Sequence, residues 1–149
     1  YRERTGAVTL ICKNDHAART SSTLLAAAAR ANYSMPPDHG AAIVQLIRED
    51  PALNSTWQEE LKGIRDRINL LRVTFASRLT ELVTQHDFSF IPKEKGMFSF
   101  LGVNKNQIQE LINEYAIYLV DSSRINVASI NDGNIDYVTE SISKVISRK

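Results

Sequence analysis

From Asp50 to Val83, hydrophobic positions recur at intervals of three and four: Leu53, Trp57, Leu61, Ile64, Ile68, Leu71, Phe75, Leu79 and Leu82. That period sets them on one face of a single amphipathic helix. Asp50 can accept from the N–H groups of the first turn, and Pro51 suits the first helical position, where no N–H is required. At 1.5 Å per residue such a helix is roughly 50 Å long. A compact chain of this size has a diameter of about 40 Å. The length therefore predicts a connector between two bodies, one of them largely outside this sequence; the competing reading is a bent or broken helix in one ordinary domain.

Upstream of it, Ala7–Cys12 is a nearly continuous apolar run rich in β-branched residues, and reads as a strand buried on both faces. Lys13–His16 reads as a turn, Ala17–Ala31 as an alanine-rich helix and Asn32–Pro37 as a loop, since the double proline bars a helix through it. A further helix is expected from about Pro37 to Glu49. Downstream, Phe88–Ile91 and Met97–Leu101 alternate on either side of a polar turn, which predicts a β-hairpin. Asn104 and Gln107 are spaced to cap a helix running to Tyr115. Ile117–Val120 and Arg124–Ser129 read as short strands. Ile135, Val138, Ile142 and Val145 mark a final helix, capped by Asn131 or Asp132. The C-terminal part is thus expected to be a small α+β layer, a helix pair over a short sheet.

Composition changes this picture little. The apolar share of 43% and charged share of 23% are ordinary for a globular protein, and a net charge of +1 implies no nucleic-acid partner. The apolar run Leu24–Ala29 is far too short to span a bilayer. One cysteine, Cys12, excludes an internal disulfide and suits a reducing compartment. The chain opens on Tyr1 and not on methionine, which adds to the expectation of an excerpt from a longer protein.

No metal centre is expected, because His16, His39 and His86 lack partners at ligand spacing. Neither a phosphate-binding glycine loop nor a nucleophile elbow occurs. Three arginines stand out by context: Arg4 before the apolar run, Arg30 ending an apolar helical turn, and Arg124 opening an apolar strand. Guanidinium forks match carboxylates and phosphates bidentately, so the three together read as anion receptors, against the plainer reading of structural cations.

Four segments resemble one family. Tyr1-Arg2-Glu3-Arg4-Thr5-Gly6-Ala7 is similar to the segment following the Schiff-base lysine of aspartate aminotransferases, the class I pyridoxal-phosphate-dependent enzymes. Arg30-Ala31-Asn32-Tyr33-Ser34-Met35-Pro36-Pro37-Asp38-His39-Gly40-Ala41 resembles their intersubunit loop. Gly96-Met97-Phe98-Ser99-Phe100 and Ser123-Arg124-Ile125-Asn126-Val127-Ala128 resemble two further family motifs, in the same order. The sequence departs at Met35, where asparagine is common, and at Ser123 and Ser129, where glycine is common.

The resemblance implies the C-terminal portion of a fold-type I pyridoxal-phosphate-dependent transferase. Residues 1–49 would end the large seven-stranded domain, 50–85 would be the interdomain helix, and 86–149 the small α/β domain. It implies that Arg4 binds the cofactor phosphate and Arg124 the substrate α-carboxylate. Arg30 would bind the distal carboxylate in the partner subunit's site, Ser34 would lie in the loop approaching that site, and Phe98 would line the pocket. The implied protein is a cytoplasmic homodimer, with an organellar form as alternative, that exchanges amino groups between dicarboxylate amino and oxo acids. The implied reaction is L-aspartate plus 2-oxoglutarate to oxaloacetate plus L-glutamate. The Schiff-base lysine is expected upstream of Tyr1, so this chain alone is expected to be inactive. Two alternatives are an aromatic-amino-acid aminotransferase of the same subgroup and a non-catalytic fragment acting in dimerisation.

Overall fold

The computed structural model describes residues 2–148; Tyr1, the first residue of the charged opening segment, and Lys149 lie outside them. Five helices and two short strands occur among the described residues: α1 (Asp15–Tyr33), α2 (His39–Glu49), α3 (Pro51–Leu82), β1 (Phe98–Phe100), α4 (Lys105–Tyr115), β2 (Arg124–Asn126) and α5 (Ile135–Ser147). The chain divides into two units, Tyr1–Glu59 and Glu60–Lys149, with the boundary inside α3. Among the described residues no helix is long and apolar enough to cross a membrane.

The helices follow their local chemistry. Asp50 accepts from the N–H groups of Ala52 and Leu53 at 2.8 and 2.9 Å, and α3 then runs 32 residues unbroken. Asn14 accepts from the Ala17 N–H, so α1 begins at Asp15, inside the stretch expected to be a turn. Asn104 and Gln107 close a reciprocal capping box at 3.0 Å in both directions, as their spacing predicts.

The second unit holds the apolar core. From α3 it takes Ile68, Leu71, Phe75, Ala76 and Leu79, continued by Val83. The expected stripe therefore holds over its C-terminal half, but ends on Val83, because Leu82 is exposed. Ile108 and Leu111 of α4 and Ile135, Ile142 and Val145 of α5 complete the core with Phe88, Ile91, Leu101, Val103, Val127 and Ile130. β1 and β2 pair antiparallel in the register Phe98↔Asn126, Ser99↔Ile125 and Phe100↔Arg124. Backbone bonds from Val127 to Met97 (2.8 Å) and from Leu101 to Ser123 (3.0 Å) extend the ladder at both ends.

Three expectations about strands are corrected. Phe88–Ile91 is not a hairpin arm: the Asp87 carboxylate accepts from the Ser89 N–H at 2.8 Å and sets a turn, which lowers the Asp87 pKa, and Ile91–Lys93 is a 3₁₀ turn. Phe88 and Ile91 are both buried, a spacing of three that suits a turn and not a pleat. Pro92 has no N–H for a ladder. Ile117–Val120 alternates between half-buried and exposed positions but pairs with no strand among the described residues. Arg124–Ser129 leaves the sheet after Asn126, whose side chain accepts from the Ala128 N–H and turns Val127–Ser129 into a 3₁₀ segment.

In the first unit, 7–12 forms no ladder among the described residues, and Val8, Leu10 and Ile11 are exposed. An apolar strand of a parallel sheet is made by neighbours on both sides, and this unit supplies none. Gly40 is its one buried residue among those described.

Candidate functional site

Phe98 and Arg124 are brought together by the two-stranded ladder. They lie on adjacent strands and on the same face, two residue pairs apart with Ser99↔Ile125 between them. The Arg124 guanidinium carbon stands 4.6 Å from the centre of the Phe98 ring, a cation–π contact. Among the described residues Arg124 makes no other ion pair or hydrogen bond through its guanidinium. Stacking orients the guanidinium plane while leaving its N–H edge available, which is the edge a carboxylate meets bidentately.

The backbone entering Arg124 is unusual. Ser123 has φ 65°, in the left-handed region that favours glycine, and is 5% exposed. Its N–H donates to Val120 O at 2.8 Å, its carbonyl accepts from Leu101 N–H, and its hydroxyl accepts from the buried Val103 N–H at 3.0 Å. The hydroxyl thus satisfies a donor that a glycine here would leave unmet.

Arg30 and Ser34 meet at the C-terminus of α1. The Ser34 N–H donates to Arg30 O at 3.0 Å, and the Met35 N–H to Tyr33 O at 2.7 Å. With φ 62° and ψ −69°, Ser34 is the centre of a γ-turn of the strained type. The side chain of Arg30 is exposed beside this turn, in the last turn of the helix, where the dipole favours a cation.

Arg4, with φ 50°, lies in a segment laid over the start of α2. His39 Nδ1 and Glu3 Oε2 are 2.7 Å apart. Gly40 permits the approach: a Cβ on it would stand 1.9 Å from Thr5 Oγ1. The residues lining the concavity there include Arg4, Thr5, Gly6, Tyr33 and His39, together with Glu3, whose carboxylate is taken by His39. A guanidinium, a threonine hydroxyl and glycine backbone are donors of the kind a phosphate monoester takes, so these residues fit such a group.

Arg4, Arg30 and Ser34 therefore belong to the first unit, and Phe98 and Arg124 to the second. Three of the four non-glycine residues with positive φ among those described, Arg4, Ser34 and Ser123, are candidate residues or adjoin one. None is an Asn or Gly, so no residue type announced it. A further charged group was passed over: Arg72, within the α3 stripe, is buried and bonded to the segment that leads into Phe98. Its signal is an arginine next to Leu71, on the apolar face.

Among the described residues there is no cluster of ligands able to hold a metal ion.

Comparison with known proteins gives a consistent result. The sequence pattern of aminotransferase class I and II matches residues 1–142. The aspartate aminotransferase of Haemophilus influenzae is 45% identical over 146 residues, 98% of this chain and 37% of that protein. That of Escherichia coli is 41% identical over the same shares. Among solved structures, an aromatic-amino-acid aminotransferase from Burkholderia pseudomallei, covalently bound to pyridoxal phosphate, is 41% identical, with a TM-score of 0.75 over 89% of this chain and 33% of that one. The chain spans 37% of the length of the curated relatives it matches.

Proposed function

Because the chain belongs to the class I and II aminotransferases and shares their fold, the α/β fold-type I architecture, we propose that it is the C-terminal part of an aspartate aminotransferase. The complete protein would convert L-aspartate and 2-oxoglutarate to oxaloacetate and L-glutamate with pyridoxal phosphate. The observation that carries this reading is Arg124, held over the Phe98 ring at 4.6 Å with its N–H edge unengaged.

In this reading Arg124 takes the substrate α-carboxylate, Phe98 walls the pocket beside it, and Arg4 holds the cofactor phosphate. Arg30 reaches the partner subunit's site and takes the distal carboxylate, with Ser34 in the loop that carries it. Two arginines at the two ends of a dicarboxylate fix its orientation, and orientation is a large part of the barrier. The cofactor, when bound, supplies an electron sink for removal of the Cα proton. The proton-transferring lysine is assigned to no residue of this chain. Residues 1–49 would belong to the large domain, 50–85 to the connecting helix and 86–149 to the small domain. The protein would be a cytoplasmic homodimer, and the one cysteine, a free thiol, accords with a reducing compartment.

The aromatic-amino-acid aminotransferase at 41% identity favours a second reading in the same subgroup, with a preference for aromatic substrates. One experiment separates them and tests Arg30. In the complete protein, Arg30→Leu should lower kcat/KM for aspartate by a hundredfold or more, at about 3 kcal/mol for a carboxylate left without its partner, and spare phenylalanine. Equal losses for both substrates remove Arg30 from the distal-carboxylate role. Faster turnover of phenylalanine than of aspartate by the unaltered protein favours the second reading.

A further inference from the structure

Arg72 is the one charged side chain among the described residues that is fully buried, at 1% exposure. Its Nη2 donates to the carbonyls of Gly96 at 2.8 Å and Phe98 at 2.7 Å. Its Nη1 donates to Ile91 O at 3.0 Å and to the Ser99 hydroxyl, with the Glu94 carboxylate at 3.4 Å; the Ser99 hydroxyl in turn donates to Glu94. One guanidinium therefore gathers the whole 91–99 segment, from the side of β1 opposite to Phe98.

Such a grip has a purpose that packing alone does not require. β1 and β2 are three residues each and form the only sheet among the described residues. A two-stranded ribbon is at best marginally stable without support. Its position must come from elsewhere, and α3 provides it twice: Arg72 holds β1, and Arg67 donates to Ala128 O at 3.3 Å and Ile130 O at 3.2 Å beyond the end of β2. The Phe98 carbonyl held by Arg72 belongs to the residue whose ring carries Arg124.

We infer that Arg72 is a positioning residue for carboxylate recognition: by fixing the Phe98 backbone through its two-pronged Nη2 contact, it sets the ring on which Arg124 is stacked. This rests on the reading of Arg124 as the α-carboxylate receptor. A lysine here keeps the charge but not the planar fork, and cannot reach Gly96 and Phe98 in the same geometry.

The test is a double-substitution cycle in the complete protein, with aspartate as substrate and thermal unfolding measured in parallel. Arg72→Lys should raise KM about tenfold or more while changing kcat less, the scale on which small misplacements act. In a Phe98→Ala background that rise should largely vanish, since Arg72 acts through Phe98. A lowered Tm with unchanged KM at a temperature where the variant is folded, or a rise of the same size in both backgrounds, overturns the inference. Should Arg72→Lys yield no folded protein, Ser99→Ala gives the same comparison, since it removes only the hydroxyl between Arg72 and Glu94. A smaller KM rise that Phe98→Ala abolishes supports the inference, and an unchanged KM overturns it. An Arg124→Lys control with unaltered KM overturns the carboxylate reading and this inference together, whereas failure of the cycle with an impaired control overturns this inference alone.

Discussion

At the scale of single residues, strain and hydrogen bonding oppose each other at Ser123. Its left-handed φ of 65° costs a non-glycine residue on the order of 1 kcal/mol. Its hydroxyl repays this by accepting from Val103 N–H, a buried donor whose loss of a partner costs about 1–3 kcal/mol. The two substitutions separate the effects. Ser123→Ala keeps the strain and loses the bond, and should lower stability by about 1–3 kcal/mol in denaturant unfolding. Ser123→Gly loses the bond but relieves the strain, so it should be the milder change. If alanine proves as stable as serine, the hydroxyl does not hold the turn before Arg124. Arg72 shows the same logic with a charge. Its burial is tolerated because three carbonyls, a hydroxyl and a carboxylate converge on it.

At the scale of elements, helices form where local signals agree. α4 has its cap, its box partner and its buried Ile108 and Leu111 all in place. Asn104→Ala should cost about 1 kcal/mol, read as a lower midpoint with unchanged slope in urea. No change in midpoint would mean that packing against α5 alone holds the helix. Strands behave differently. The alternating run at Phe88–Ile91 became a turn because the Asp87 carboxylate captured the Ser89 N–H and Pro92 follows. The alternation at 117–120 is real in burial, yet among the described residues no strand pairs with it. β1 found its partner in β2, more than twenty residues on, and not in the adjacent run.

At the scale of the molecule, the two units differ in kind. The second has a continuous core drawn from α3, α4, α5 and the segments between them. The first exposes Val8, Leu10, Ile11, Leu24 and Met35, and its helices carry no buried apolar residue among those described. The proposed homodimer gives a test that needs both. Arg30 is assigned to the partner's site and Arg124 to its own. Mixing Arg30→Leu subunits with Arg124→Leu subunits, each impaired with aspartate, should then restore aspartate turnover, because each hybrid dimer assembles one site with both arginines intact. Absence of recovery from dimers shown to have exchanged subunits would place both arginines in one subunit's site.

The sequence by itself determined the helices, above all the 32 residues of α3, because a helix is closed by bonds four residues apart; the expected cap of α5 at Asn131 or Asp132 is corrected, since that helix starts at Ile135 after Asn134, with no side-chain cap bond. It also singled out Arg124 and Phe98, from motif context and from a cation opening an apolar strand, and Arg30 beside the rigid double proline. Only the tertiary structure decided which extended runs became strands, because a ladder needs a partner that local pattern does not name. It alone decided which arginine of α3 is interior. Arg65, Arg67, Arg72 and Arg78 are alike in type, and only where carbonyls from Ile91, Gly96 and Phe98 converge can a guanidinium leave water. The left-handed turn at Ser123 belongs with these, since its carbonyl and hydroxyl are taken by Leu101 and Val103 only once the chain has folded.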